Sequence, residues 1–391
     1  MASKSVYSKD VILVMAASFF FMFSTMFVNP LINGFAKSLG ASATFAGFIV
    51  GIMSVAAMFL RPVAGNLTDQ MTKYKLSFIG GVLIVLGIVG YIITPNSGML
   101  LLFRLMNGTG YVLCTVCMTT WLAELVPREH VGEAMGFYGL MNALAMSVAP
   151  AVSINIYKTF GYRQSIILSA SSAILMVVVI QFVGDKGKPE GVANSKKQAH
   201  HFKIIQKDSL PIAALTTLFA LPYFVTQADI VTYVEQRHMH VAVGAYFLIY
   251  AVVLLVLRLL LRNLFDTVSF GPWLYLSTAA TVIYLILLTV MDNNWEMALA
   301  AAGMAVGYGI IYSVMQSTAL LLAPISESGL ASSTFYLGLD IGMSVGPMLG
   351  GLIDSLFSPV YFYPVFLLIV PPILIIYFCN RRKLNAAVHN H

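Results

Sequence analysis

Residues Leu60–Lys75, LRPVAGNLTDQMTKYK, carry an apolar run with one arginine inside it into a short polar loop. The pattern returns at Leu257–Asp266, LRLLLRNLFD. A shift of 197 residues (258 minus 61) superposes Arg61 on Arg258, Asn66 on Asn263, Leu67 on Leu264 and Asp69 on Asp266. Apolar coincidences are cheap in so greasy a chain; a matched Arg, Asn and Asp at one register are not. The same shift pairs Pro127 with Pro324, Gly132 with Gly329, Ala134 with Ala331 and Pro150 with Pro347. The chain therefore reads as two homologous halves.

Composition sets the class. Apolar residues make up 59% of the 391 and charged residues 10%, too little polar surface for a water-soluble domain. Mean hydropathy is +0.85. A span needs about 20 residues to cross the hydrocarbon, with every backbone group bonded internally, so helices are expected. The runs are too long, and lack the alternation, for strands of a lipid-facing barrel. Counting them gives an all-α membrane protein of twelve spans, near 11–33, 45–64, 76–94, 99–122, 133–157, 163–183, 209–233, 242–261, 271–291, 296–322, 331–356 and 361–380. The first span is too long for a signal-peptide core and is read as retained.

Residues 184–208, with six lysines plus His200 and His201, read as a polar linker. It joins an N-terminal six-helix bundle, 1–183, to a C-terminal one, 209–391, in pseudo-symmetric arrangement. With a cytoplasmic N-terminus, 15 of the 22 Lys and Arg fall on the inside, including Arg381, Arg382 and Lys383, which also puts the C-terminus inside. The net charge of +6 is thereby membrane topology and not a nucleic-acid footprint. Cys114 and Cys117 form a CxxC within a span, read as small-residue packing. His238 and His240 flank a short outside loop and are read as solvated. No metal site and no cofactor is expected, and the chain has no phosphate-cradling GxxxxGK[ST] loop.

The run Gly65-Asn66-Leu67-Thr68-Asp69-Gln70, with Lys73 and Lys75 after it, resembles the signature between the second and third helices of the major facilitator superfamily, GxLaDrxGrk. Gln70 and Thr72 depart from it. The resemblance implies a conformational latch built on Gly65 and Asp69, with Arg61 one turn above and Asp266 and Arg258 as the echo in the second half. There Arg262 replaces the glycine. Both arginines have the reach to snorkel to the interface. Arg104-Leu105-Met106-Asn107-Gly108-Thr109-Gly110 resembles the family's RxxxGxG motif, which implies a part for Arg104 in proton coupling or anion attraction. Glu124, Pro127, Arg128, Glu129 and Glu133 form a turn like the family's loop there, read as structural.

The GxxxGPxxGG motif of drug/proton antiporters is eroded in the fifth span but satisfied throughout in the eleventh, by Gly342, Gly346, Pro347, Gly350 and Gly351. Glycines four apart let two helix backbones approach closely. Asp340 falls in the same span, on a polar stripe with Ser333, Tyr336 and Ser344 opposite the glycines. Asp229 sits similarly in the seventh span. Burial in an apolar helix favours the neutral carboxyl, the change of state that a proton carrier uses. Asn29, Gln227, Tyr308, Tyr312 and Gln316 are the remaining candidates for a substrate cavity.

The expectation is a membrane transporter, not an enzyme: a proton-coupled exporter of a small amphipathic or organic solute from bacterial cells, monomeric, with protons, substrate and the bilayer as its partners. An importer by symport or facilitated diffusion, a lipid flippase and a non-transporting sensor share the scaffold.

Overall fold

A computed structural model describes residues 8–188 and 202–387. Most of the expected linker, 189–201 with both its histidines, lies outside the described residues. Among these, twelve helices are long and apolar enough to cross a membrane. They are α1 (Lys9–Ser38), α2 (Phe45–Gln70), α3 (Lys73–Ile93), α4 (Ser97–Leu125), α5 (Arg128–Phe160), α6 (Tyr162–Phe182), α7 (Lys207–Val231), α8 (Val243–Leu261), α9 (Phe270–Val290), α10 (Asn294–Leu322), α11 (Ile325–Asp354) and α12 (Pro364–Ala386). The number and order match the count from hydropathy.

Helix starts follow local chemistry. Ser42, Thr72, Asn96 and Asn293 each accept an orphan backbone N–H of the turn they open. Large apolar side chains such as Phe59, Leu260 and Leu368 are more than 70% exposed, the outward greasiness that lipid permits and water does not. Helices join through small polar groups: Ser169 and Ser172 of α6 donate to the carbonyls of Ser24 and Phe20 on α1, at 2.7 and 2.9 Å. Cys114 and Cys117 are free and buried, bonded weakly across α4 to Ser77 and Lys73 of α3.

One local expectation is corrected. The run 65–70 is not a loop: α2 continues through Gln70, and only Met71 and Thr72 separate it from α3. Asn66 and Thr68 point their side chains back to the carbonyls of Pro62 and Ala64, so polar residues that would open a turn in water close on the helix's own backbone.

By contact the chain divides into two units. The first comprises Met1–Pro127, Phe137–Ile205 and Pro324–Ser333; the second comprises Arg128–Gly136, Gln206–Ala323 and Thr334–His391. Each unit thus takes in the opening turns of a helix that belongs to the other half of the sequence, α11 in the first unit and α5 in the second.

Candidate functional site

Those borrowed turns are where the two repeated acids sit. In the first unit Asp69, in the last turn of α2, accepts the backbone N–H groups of Gly329 and Leu330 at 2.7 and 3.0 Å. The orphan amides at the start of α11 are thereby capped by a carboxylate 260 residues away in sequence. The approach is close: a Cβ at Gly65 would lie 2.8 Å from that of Ser333, and one at Gly329 would lie 2.6 Å from that of Thr68. Asn66 binds the backbone of Lys203 in both directions, and Lys203 pairs with Glu327.

The second unit repeats the arrangement. Asp266 lies in the helical turn Leu264–Thr267 and accepts the N–H of Glu133 at 3.0 Å, in the first turn of α5. A Cβ at Gly132 would fall 2.5 Å from its carboxylate oxygen. Burial raises the Asp266 carboxyl to about 6 against the opposing pull of the Glu133 amide and the His130 imidazole. The sequence repeat paired acid with acid and glycine with glycine, and the structure joins the two pairs crosswise: 69 with 329, 266 with 132.

Both arginines paired by the repeat lie off these caps. Arg61 is fully buried, donates to Thr115 and stands over the Tyr111 ring on α4, 5.8 Å away. Arg258 is 2% exposed and donates to the Gly309 carbonyl on α10 at 2.9 Å. Neither snorkels. Arg104 is also 2% exposed and donates to Asn29 of α1 at 2.8 Å. Phe21 meets Tyr111 along the same pair of helices, which sets Thr25 at the level of Asn107. The Asn107 amide and the Thr25 hydroxyl are buried without hydrogen-bond partners among the described residues.

In the second unit, α11 packs its glycines along α7. A Cβ at Gly338 would strike the Ala213 carbonyl at 2.2 Å, one at Gly342 the Ala220 Cβ at 2.5 Å and one at Gly346 the Leu221 carbonyl at 3.0 Å. Gly338, absent from the motif as read in sequence, extends the seam by a turn, and Thr217 bonds its carbonyl. Gly350 ends it against Asp229, whose carboxylate oxygen would lie 2.6 Å from an added Cβ. Gly351 faces open space.

Asp340 is buried at 1% on α11. One turn before it, Tyr336 accepts from Gln316 of α10 at 3.0 Å. A run of rings leads on from there. Tyr336 packs edge-on to Phe335, Phe335 to Tyr312, and Tyr308 stacks on Tyr223 of α7 at 4.1 Å. Gln227 is exposed. The residues that the sequence reading missed are the cap partners and Gly338; the 197-residue shift held the signal for Gly132 and Gly329, and the four-residue glycine spacing held it for Gly338.

Residues 14–292 match the profile of the Major Facilitator Superfamily. The chain belongs to that family. It is a multi-pass membrane protein of that superfamily. It is 24% identical to the putative metabolite transport protein YwtG of Bacillus subtilis (strain 168), over 47% of this chain and 40% of that protein. The match thus spans less than half of that relative. It is 21% identical to the staphylopine export protein of Staphylococcus aureus (strain Mu50), over 90% of this chain and 92% of the other. The structure of the proton:xylose symporter XylE bound to 6-bromo-6-deoxy-D-glucose superposes with a TM-score of 0.70 at 14% identity, covering 97% of this chain and 98% of XylE.

Proposed function

We propose that this transporter exports a small amphipathic or organic solute from the bacterial cytoplasm in exchange for protons, by alternating access of two six-helix halves, 1–183 and 209–391, with both termini cytoplasmic. The observation that carries the alternating step is the crossed pair of caps. An acid on one half of the sequence binds the helix start of the other half twice over, at Asp69 and at Asp266, as a contact that must break when the halves rock would do. Hydrogen bonds to a charged carboxylate contribute about 1.5–3 kcal/mol each, enough to bias a two-state equilibrium and small enough to be broken in a cycle.

Two features favour export. The α11 glycine seam carries the antiporter-type motif, and the relative that covers 92% of its own length is named as an exporter. For coupling, the proton-carrying role is assigned to Asp340, buried on α11 one turn after Tyr336, which accepts from Gln316 of α10; Asp229 and Arg104 are the further residues assigned to proton coupling. Asn29, Gln227, Tyr308, Tyr312 and Gln316 contribute to the solute cavity. The test is made in proteoliposomes with an imposed pH gradient. Substrate-triggered proton movement present in the native protein should vanish in Asp340→Asn; coupled flux unchanged in that variant would remove Asp340 from the mechanism.

A further inference from the structure

We propose that His130, Glu133 and Asp266 form a binding site for a divalent transition-metal ion of the zinc class. His130 Nδ1 lies 3.7 Å from a carboxylate oxygen of Asp266 and 4.0 Å from one of Glu133. One ligand atom from each residue falls within 4.8 Å of the other two. Ligands held at zinc bonding distances in a tetrahedron stand roughly 3.3 Å apart, so the two His130 distances close by about 0.4 and 0.7 Å and the acids by at most about 1.5 Å, within the reach of side-chain rotation, to complete the triangle. One imidazole nitrogen with two carboxylates is a borderline donor set. It suits zinc or cobalt, whereas calcium calls for six or more oxygens and magnesium keeps most of its waters.

Position adds to the donor chemistry. The Glu133 and Asp266 side chains are 10% and 11% exposed, two desolvated acids facing one imidazole that is 45% exposed and open to an entering ion. The helix start beside them is positive, which opposes a cation. Asp266 answers that charge with one oxygen on the Glu133 amide and turns its other oxygen to His130. The arrangement is not a remnant of the repeat. A shift of 197 residues turns His130 into Glu327, which pairs with Lys203, and turns Glu133 into Leu330, which has no ligand atom. The first unit keeps the acid cap and lacks the ligands.

A metal here ties the first turn of α5 to the segment between α8 and α9. On the alternating-access reading, on which this consequence rests, bound zinc holds the second cap closed and slows transport; binding itself does not depend on that reading.

The test uses the purified full-length protein, stripped with chelator, with Zn2+ measured by competition calorimetry and Co2+ as the spectroscopic probe. His130→Gln changes a half-exposed side chain and leaves the Asp266 cap in place. It should lose one metal equivalent or weaken it by at least about 10-fold, the lower end of what even an outer-shell partner contributes. His130→Cys should bind Co2+ with a thiolate-to-metal band in the near ultraviolet that the native protein lacks. Equal stoichiometry and affinity in native and His130→Gln protein would place the metal on other histidines and overturn the site. A His130→Cys protein that binds Co2+ without that band would do the same.

Discussion

The two acid caps share a design and differ in how they achieve contact. At Asp69, both carboxylate oxygens are spent on amides, and glycines on both sides, Gly65 and Gly329, bring α2 and α11 within van der Waals contact. At Asp266 the glycine on the acid's side is replaced by Arg262, which is exposed. There α8 ends at Leu261, and a separate helical turn delivers the acid to α5 while Phe265 packs against Gly132. One oxygen accepts the Glu133 amide and the other faces His130. Both caps keep a glycine at the helix start, where an added Cβ would meet the acid's oxygen at 2.8 Å (Gly329) or 2.5 Å (Gly132); the glycine on the acid's side is kept only at the first cap, where α2 runs unbroken through Asp69.

The comparison ranks the variants. Asp69→Ala removes two charge-assisted bonds of about 1.5–3 kcal/mol each, and should slow transport by more than about 10-fold with near-normal substrate binding. Flux and equilibrium binding on the same proteoliposomes decide it; a loss of substrate binding would put Asp69 beside the substrate instead. Next is Gly132→Ala, whose methyl cannot coexist with the Asp266 oxygen and the Phe265 carbonyl, both 2.5 Å away. The overpacking should cost about 1–3 kcal/mol and appear as a lowered Tm in detergent.

Asp266→Asn keeps an acceptor for the Glu133 amide and loses only the charge, so its transport should fall a few-fold, less than for Asp69→Ala. An equal loss would show the two caps to be equivalent and break the ranking. Smallest is Arg262→Gly. It restores the glycine of the first cap at an exposed position and should stay within about 0.5 kcal/mol of native stability, measured by thermal unfolding.

Legibility followed physical range. Twelve spans were readable because crossing hydrocarbon imposes a length and an apolar content on each helix separately. The paired acids Asp69 and Asp266 were readable because the repeat copied them. Their partners were not, although Gly132 and Gly329 were already paired by the same shift, because no local rule says which helix start an acid will reach. The seam on α11 announced close packing through its glycine spacing, but nothing in that spacing names α7 as the neighbour. The run 65–70 reads as a loop because Asn, Thr and Asp favour turns; in this helix Asn66 and Thr68 bond the preceding carbonyls instead, and Asp69 accepts the amides of Gly329 and Leu330.

The sequence by itself determined the solvent of this protein, the number of its helices and its twofold repeat, since hydropathy, span length and residue identity are properties of short segments. Only the tertiary structure decided that Asp69 caps α11, that Asp266 caps α5 beside His130, and that α7 fills the glycine seam. Those contacts join residues more than 120 positions apart, and their partners are chosen by how whole helices pack.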